Sequence, residues 1–378
     1  MMVPRHRPRL LPLILPMLLL PALSACGGAK GPPPLSPAAL AAVGDHPGAP
    51  REALARAIDT LFDNPSLGQT RAVVLLHNGR IVAERYAPGY SQNTPLLGWS
   101  MSKSVTGVLV GLLVSDGRLR LDESAPVPNW QRPGDPRGEI TLRQLLQMRS
   151  GLAHVETDTP ARDADTVRML FLDGRDDMAA YAEAQPLEAL PGTRWRYSTA
   201  TGVILADLAA RSLTESADPQ VRQQVIGDYL RTRLFAPLGM RSAVAEFDAA
   251  GTMEGGSMIH ATARDWARFG EFLRNGGMVG GARIVPSDWI RFMTAPNPTN
   301  PAYGAQLWLN RPSANGEEEL FPDRAPASLF AAIGHMGQYV IVSPQQHLTL
   351  VRLGQTPEDK RAALRAKLGD IVELYARH

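Results

Sequence analysis

A chain of 378 residues with 44% apolar and 20% charged side chains is long enough for one large domain or two smaller ones, and too apolar to stay disordered. Its formal charge of +2 gives no reason to expect nucleic acid as a partner, because residues 1–25 hold three arginines and no acid, and +2 less three is −1 for the remainder. A single cysteine, Cys26, excludes an intramolecular disulfide and a cysteine-based metal site.

In chain order, "MMVPRHRPRL" and the apolar, proline-interrupted "LPLILPMLLLPAL" read as a secretory signal over residues 1–25, too short and too broken for a membrane span. The segment ends in "LSAC", which resembles the bacterial lipobox. That resemblance implies that Cys26 is the lipidated N-terminus after cleavage, attaching the protein to a membrane of the bacterial envelope on its periplasmic side. An incidental cysteine after an ordinary cleaved signal is the plainer alternative. Gly27, where aspartate would favour inner-membrane retention, favours the outer membrane in a Gram-negative host. Residues 26–50, rich in proline, glycine and alanine, read as a flexible linker ahead of a domain over 51–378.

The spacing of "REALARAIDTLF" predicts a helix over 51–62, and "TRAVVLLHNGRIVAERYAPG" predicts a hairpin turning at Asn78-Gly79. "VTGVLVGLLVSDG" is apolar on nearly every side and stops at Asp116-Gly117, as a buried helix does. From about 140 to 255 the pattern is helical with loops, and "TARDWARFGEFLRNGG" adds another helix. Strands return in "AYGAQLWLN", "SLFAAIGHMGQYVIVSP" and "HLTLVRLGQT", before a closing helix in "PEDKRAALRAKLGDIVELYARH". Strands at both ends and helices between them predict an α/β (α+β) fold. An antiparallel sheet would be flanked by N- and C-terminal helices, with an inserted all-helical domain and a site in the crevice between.

Only four of the 39 basic residues are lysines, and the body of the chain holds one of them, Lys103, in "GWSMSKSVTG". It stands three residues after Ser100, so the two side chains share a helix face. A serine hydroxyl needs a proton acceptor before it is a useful nucleophile. Arginine cannot accept that proton, whereas a buried lysine can be neutral. In "TRWRYSTATG", Tyr197 sits just before a helix, where a phenol can relay protons to a leaving group. In "AAIGHMGQYVIV", His335 lies between glycines at the start of a strand, and Gly334 and Gly337 let backbone approach a ligand.

Ser-x-x-Lys, a tyrosine about a hundred residues on and a strand with His-x-Gly together resemble the serine β-lactamase and penicillin-binding-protein superfamily. The resemblance is to the class C side, with its esterase and 6-aminohexanoate-dimer hydrolase relatives. It spans roughly Leu75 to Gly354 and includes "SDGRLRLDE", "TLRQLLQMRSGL", "RLFAPLGM", "ATARDWARFGEFL" and "IGHMGQYVIVSP". It implies a β-lactamase/transpeptidase-like fold, Ser100 as acylated nucleophile, Lys103 as general base and Tyr197 as the tyrosine of the second motif. His335-Met336-Gly337 stands in place of Lys-Thr-Gly, the backbone amides of Ser100 and Gln338 form the oxyanion hole, and Ser257 lies at a turn beside substrate. Acyl transfer to water on a small-molecule or peptide substrate follows, with no cofactor or metal implied.

Two departures bear on the substrate. Tyr197-Ser198-Thr199 lacks the asparagine of Tyr-x-Asn, and His335 replaces a lysine whose fixed charge would meet a carboxylate. Both lean from β-lactams toward esters and amides without that carboxylate. Other readings carry less. "GWSMS" as the nucleophile elbow of an α/β-hydrolase lacks a strand running into the serine. His154 and Glu156 as a metal pair lack a third ligand and fit a cleft wall or surface better. Trp99, Trp195 and Met336 flank the motifs as apolar walls or as packing. The non-enzymatic alternative is a catalytically weak envelope lipoprotein that binds muropeptide or a partner in the same cleft.

Overall fold

The computed structural model describes residues 34–314, 316 and 319–376, and the described residues from 35 onward form one compact unit. Helices α1 (Pro37–Ala41) and α2 (Arg51–Asp63) lead into strands β1 (Gln69–His77) and β2 (Arg80–Tyr86). Strand β3 (Leu96–Leu97) and a 3-10 turn (Trp99–Met101) start α3 (Ser102–Ser115). The mainly helical stretch holds α4 (Leu142–Leu146), α5 (Asp165–Phe171), α6 (Met178–Glu183), α7 (Thr199–Leu213), α8 (Pro219–Leu230) and α9 (Ala236–Leu238). Then come β4 (Val244–Ala245), β5 (Ile259–Ala261), α10 (Ala263–Arg274), the ribbon β6 (Met278–Val279) and β7 (Ala282–Arg283), and α11 (Ser287–Met293). Strands β8 (Trp308–Leu309), β9 (Phe330–Gly334), β10 (Gln338–Ser343) and β11 (Leu348–Gln355) precede α12 (Arg361–Glu373).

The main sheet runs β2-β1-β11-β10-β9-β8, antiparallel at each pairing, so the first hairpin of the domain closes against its last strand. Alternation along β1 explains why its run is apolar throughout. Ala72, Val74 and Leu76 share a core with α3 and α10, while Val73 and Leu75 pack with α2 and α12 on the opposite face. Asn78 (φ 53°) and Gly79 (φ 74°) make the hairpin turn that Asn-Gly predicts. The helical stretch is not a free-standing layer: α7 residues such as Val203 and Leu205 join the same core as Val105 and Leu109 of α3.

Three expectations need correction. The linker read over 26–50 is packed from residue 35 onward, because Ser36 caps α1, Ala39 and Val43 are buried, and the Gly44 N–H donates to the Val82 carbonyl at 2.9 Å. Composition alone suggested a tether; docking of small apolar side chains onto β2 and α2 overrides it. The signal over 1–25, Cys26 and Gly27 lie outside the described residues. In "AYGAQLWLN" only Trp308–Leu309 is strand, because Gln306 takes φ 61° and the Ala305 N–H is donated to Met293, turning the chain before it extends. "SLFAAIGHMGQYVIVSP" is two strands, and His335-Met336-Gly337 forms the turn between them rather than the start of one.

That turn is held from beneath by Arg352 on β11, which is fully buried and has no carboxylate among its hydrogen-bond partners in the described residues. Its guanidinium donates to the Gly337 carbonyl at 2.8 Å, the Gln69 carbonyl at 3.1 Å, Thr70 Oγ1 at 3.1 Å and Thr356 Oγ1 at 2.8 Å. Burial pulls its pKa down to about 9, which still leaves it charged at neutral pH. Arg352→Met is expected to lower stability by about 1–3 kcal/mol, because it strands buried acceptors. The check is the thermal midpoint; an unchanged midpoint would mean that the turn does not depend on this side chain.

Candidate active site

Ser100 is half-buried in the 3-10 turn ahead of α3, at the point where β9 and β5 converge on it. The Gly98 N–H donates to the Ile259 carbonyl at 2.9 Å, pinning the turn to β5. At the end of β9, a Cβ on Gly334 would meet the Gly98 carbonyl oxygen at 2.2 Å, so only glycine lets that strand close onto the turn that carries Ser100. The Trp99 backbone, at φ 49°, is in the left-handed region unusual for a bulky residue, and its ring meets His335 edge-on with centroids 5.3 Å apart.

One turn further on, Lys103 is 1% exposed in a slot between α3, α7 and the 254–257 loop. Its Nζ is 3.0 Å from Ser100 Oγ, 2.8 Å from Thr199 Oγ1 and 2.8 Å from the Gly256 carbonyl oxygen. A Cβ on Gly256 would press on the Thr199 carbonyl oxygen at 2.6 Å, so glycine is needed for that loop to reach the amine. Burial lowers the Lys103 pKa to about 8, against an opposing pull from the Glu156 charge. About a tenth of the molecules then carry a neutral amine at pH 7.

Tyr197 lies over the same amine, its ring centroid 4.8 Å from Lys103 Nζ. The ring is stacked on Trp308 at 5.5 Å and packs edge-on against Tyr303 at 6.0 Å, with Trp195 also against Trp308. Burial and the Glu156 charge push the phenol above its ordinary pKa, while its contact with Ser100 pulls the other way. A neutral phenol donates and relays protons; it does not serve as the resting base. Of the two groups, Lys103 is the one whose proton burial makes easier to remove, while burial makes the Tyr197 proton harder to remove.

The turn bearing His335, Met336 and Gly337 faces this pair across the cleft, with Met336 at φ 59° and Gly337 at φ 77°. His335 is exposed at the rim, and desolvation by its neighbours lowers its pKa, so at neutral pH it brings no fixed positive charge. Gln338 opens β10. Its side chain knits the turn together, donating to the carbonyls of His335 at 2.9 Å and Gly354 at 2.7 Å and accepting from the Gly354 N–H at 2.9 Å. Ser257 is 3% exposed beside Gly256, which leaves little surface for the substrate contact expected of it.

Sequence reading missed two partners of the site. Thr199, noted only for lacking an amide, bonds directly to Lys103, and Glu156 bonds to Thr199 through both carboxylate oxygens. His154, 2% exposed, is directed at Glu156 rather than at the surface. The signal available was a threonine at the third position of the second motif and an acid just beyond "SGLAH". A cavity of about 700 Å³ lined by Arg118, Glu183, Asp207, Arg211 and Arg222 lies elsewhere and includes none of the three motif residues.

The sequence matches the family description Beta-lactamase over residues 66–373. It is 24% identical over 298 residues to the 6-aminohexanoate-dimer hydrolase of Paenarthrobacter ureafaciens, covering 76% of this chain and 73% of that protein. Among solved structures it is similar to a family VIII carboxylesterase, with a TM-score of 0.59 at 17% identity over 85% of this chain and 96% of that one. A D-stereospecific amidohydrolase from Streptomyces sp. is similar with a TM-score of 0.56 at 19% identity, over 82% of this chain and 98% of that one. At these identities the structural likenesses speak for the fold.

Proposed function

The chain belongs to the beta-lactamase family, and from that premise we propose that it is a serine hydrolase that cleaves an ester or amide through an acyl-enzyme on Ser100. The observation that carries the reading is the 3.0 Å contact between Ser100 Oγ and the amine of a lysine that burial has made easy to deprotonate. Neutral Lys103 takes the hydroxyl proton as Oγ bonds to the substrate carbonyl carbon, and the negative charge collects on the carbonyl oxygen. The backbone amides of Ser100 and Gln338 are proposed to receive that charge. Collapse expels the alcohol or amine, protonated from Lys103 through Tyr197. Water then attacks the acyl-enzyme, giving its proton back along the same path, and releases the acid and Ser100.

The substrate class follows from the charge of the cleft. With His335 neutral and no asparagine in the second motif, little is offered to the carboxylate of a β-lactam or a peptide terminus. The relatives named above, a 6-aminohexanoate-dimer hydrolase, a carboxylesterase and a D-stereospecific amidohydrolase, are consistent with that direction. A panel of p-nitrophenyl esters, linear amides, D-amino-acid amides and a chromogenic cephalosporin tests it on the protein from residue 35 onward, which keeps α1. Ester or amide turnover, lost by about 10³-fold in Ser100→Ala, is the expected outcome. A cephalosporin hydrolysed faster than every ester and amide would overturn the substrate class.

A further inference from the structure

Glu156 belongs to the site without touching the place where substrate would sit. Its carboxylate accepts from the Thr199 N–H at 2.7 Å, Thr199 Oγ1 at 2.5 Å, Thr166 Oγ1 at 2.9 Å and His154 Nε2 at 3.1 Å. Burial would push its pKa up, but the His154 bond and the Lys103 charge outweigh that and hold it at about 2, so it is ionised throughout the working pH range. A carboxylate can only accept hydrogen bonds, so the single hydroxyl proton of Thr199 is committed to Glu156. The oxygen of that hydroxyl is thereby left to face Lys103 purely as an acceptor, 2.8 Å away.

The consequence appears when Lys103 loses its proton. A neutral amine has two N–H bonds and one lone pair. Two fixed acceptors stand around it, the Gly256 carbonyl oxygen and Thr199 Oγ1, each at 2.8 Å. Both N–H bonds are drawn to them, and the lone pair is left in the third direction, toward the Ser100 hydroxyl at 3.0 Å. Were Thr199 free to donate, it could occupy the lone pair itself and leave Ser100 without a base.

We propose that Glu156, held by His154 and acting through the Thr199 hydroxyl, is a positioning residue that aims the lone pair of neutral Lys103 at Ser100. The proposal rests on the serine-hydrolase reading and adds to it a residue that works by orienting another hydroxyl. It also accounts for the third position of the second motif, where a short hydroxyl bridges the lysine to a buried acid. A rival explanation is structural: Glu156 caps the first turn of α7, where a negative charge near the helix N-terminus is favourable in itself. The two differ in what they do to catalysis as a function of pH.

Lys103 is faced by Glu156 and, behind it, His154 on the 152–157 loop, by Tyr197 ahead of α7, and across the cleft by His335 on the β9–β10 turn. Of these, Glu156 is the one that raises its pKa. Glu156→Gln therefore makes Lys103 easier to deprotonate, which by charge alone would raise activity at low pH. If aiming matters, the acid limb moves to lower pH while the plateau above it falls.

The test is the rate of fluorophosphonate labelling of Ser100 between pH 5.5 and 9.5 in wild type, Glu156→Gln, Thr199→Val and Thr199→Ser, each checked for an intact thermal transition. Expected are a plateau about tenfold or more lower in Glu156→Gln with its acid limb shifted down, a loss of about 10²-fold in Thr199→Val, and near-wild-type rates in Thr199→Ser, which keeps the hydroxyl. A misplaced base costs that much without any change in the nucleophile. Thr199→Val labelling within about threefold of wild type, or Glu156→Gln with an undiminished plateau, overturns the proposal. A wild type that takes no label at Ser100 is a different result, and removes the hydrolase reading itself. Should either Thr199 variant fail to fold, the limb and plateau of Glu156→Gln decide the matter.

Discussion

Lys103→Arg is expected to lower kcat/KM for the best ester or amide substrate by about 10³-fold while the thermal transition survives. Both side chains are cationic, so a role in binding a negative group or in packing charge against Glu156 would tolerate the exchange. A base does not. Arginine holds its proton at every relevant pH, whereas burial has brought Lys103 down to about 8. In wild type the same pKa fixes the sign of the pH dependence. With Lys103 as the proposed base the competent form is the deprotonated one, so kcat/KM is expected to rise roughly tenfold per pH unit below about 7 and to level above about 8. Activity within tenfold of wild type in Lys103→Arg, or a profile that falls as the pH rises toward 8, would contradict the assignment.

Tyr197→Phe is the second large effect, and its size is expected to depend on the leaving group. The phenol stands over Lys103 with its ring clamped by Trp308 and Tyr303, so phenylalanine keeps the packing and removes only the hydroxyl. An amine must be protonated to leave; p-nitrophenolate need not be. Linear amides should therefore lose about 10²-fold in kcat/KM, and p-nitrophenyl esters no more than about tenfold. The raised phenol pKa adds a constraint, because no basic limb should appear below pH 10 from this residue. Equal losses on the two substrate types would place Tyr197 in the wall of the cleft rather than on the proton path.

What could be read from the residues follows from how local each cause is. Asn78-Gly79 requires left-handed backbone, so the hairpin was visible in two letters. Ser100 and Lys103 are one helical turn apart, and the need for a neutral amine among arginines marked them. Longer-range causes left weaker traces. The Glu156–Thr199 bonds join positions 43 apart, and the Gly256 carbonyl reaches Lys103 from 153 residues away. Nothing in the spacing of those letters pairs them. Residues 35–50 look like a tether in composition because alanine, glycine and proline are also what a close-packed strap uses, and only the burial of Ala39 and Val43 tells the two apart. "AYGAQLWLN" alternates as a strand would, yet the positive φ at Gln306 breaks the extension in the middle.

The most direct measurement is the intact mass of the folded protein, residues 35–378, after exposure to a fluorophosphonate at pH 8, with peptide mapping of the adduct. One adduct per molecule on Ser100, absent in Ser100→Ala and formed more slowly at pH 6 than at pH 8, is the result this account predicts. No adduct, or an adduct on Ser100 whose rate is the same at both pH values, would contradict a serine activated by the buried amine of Lys103.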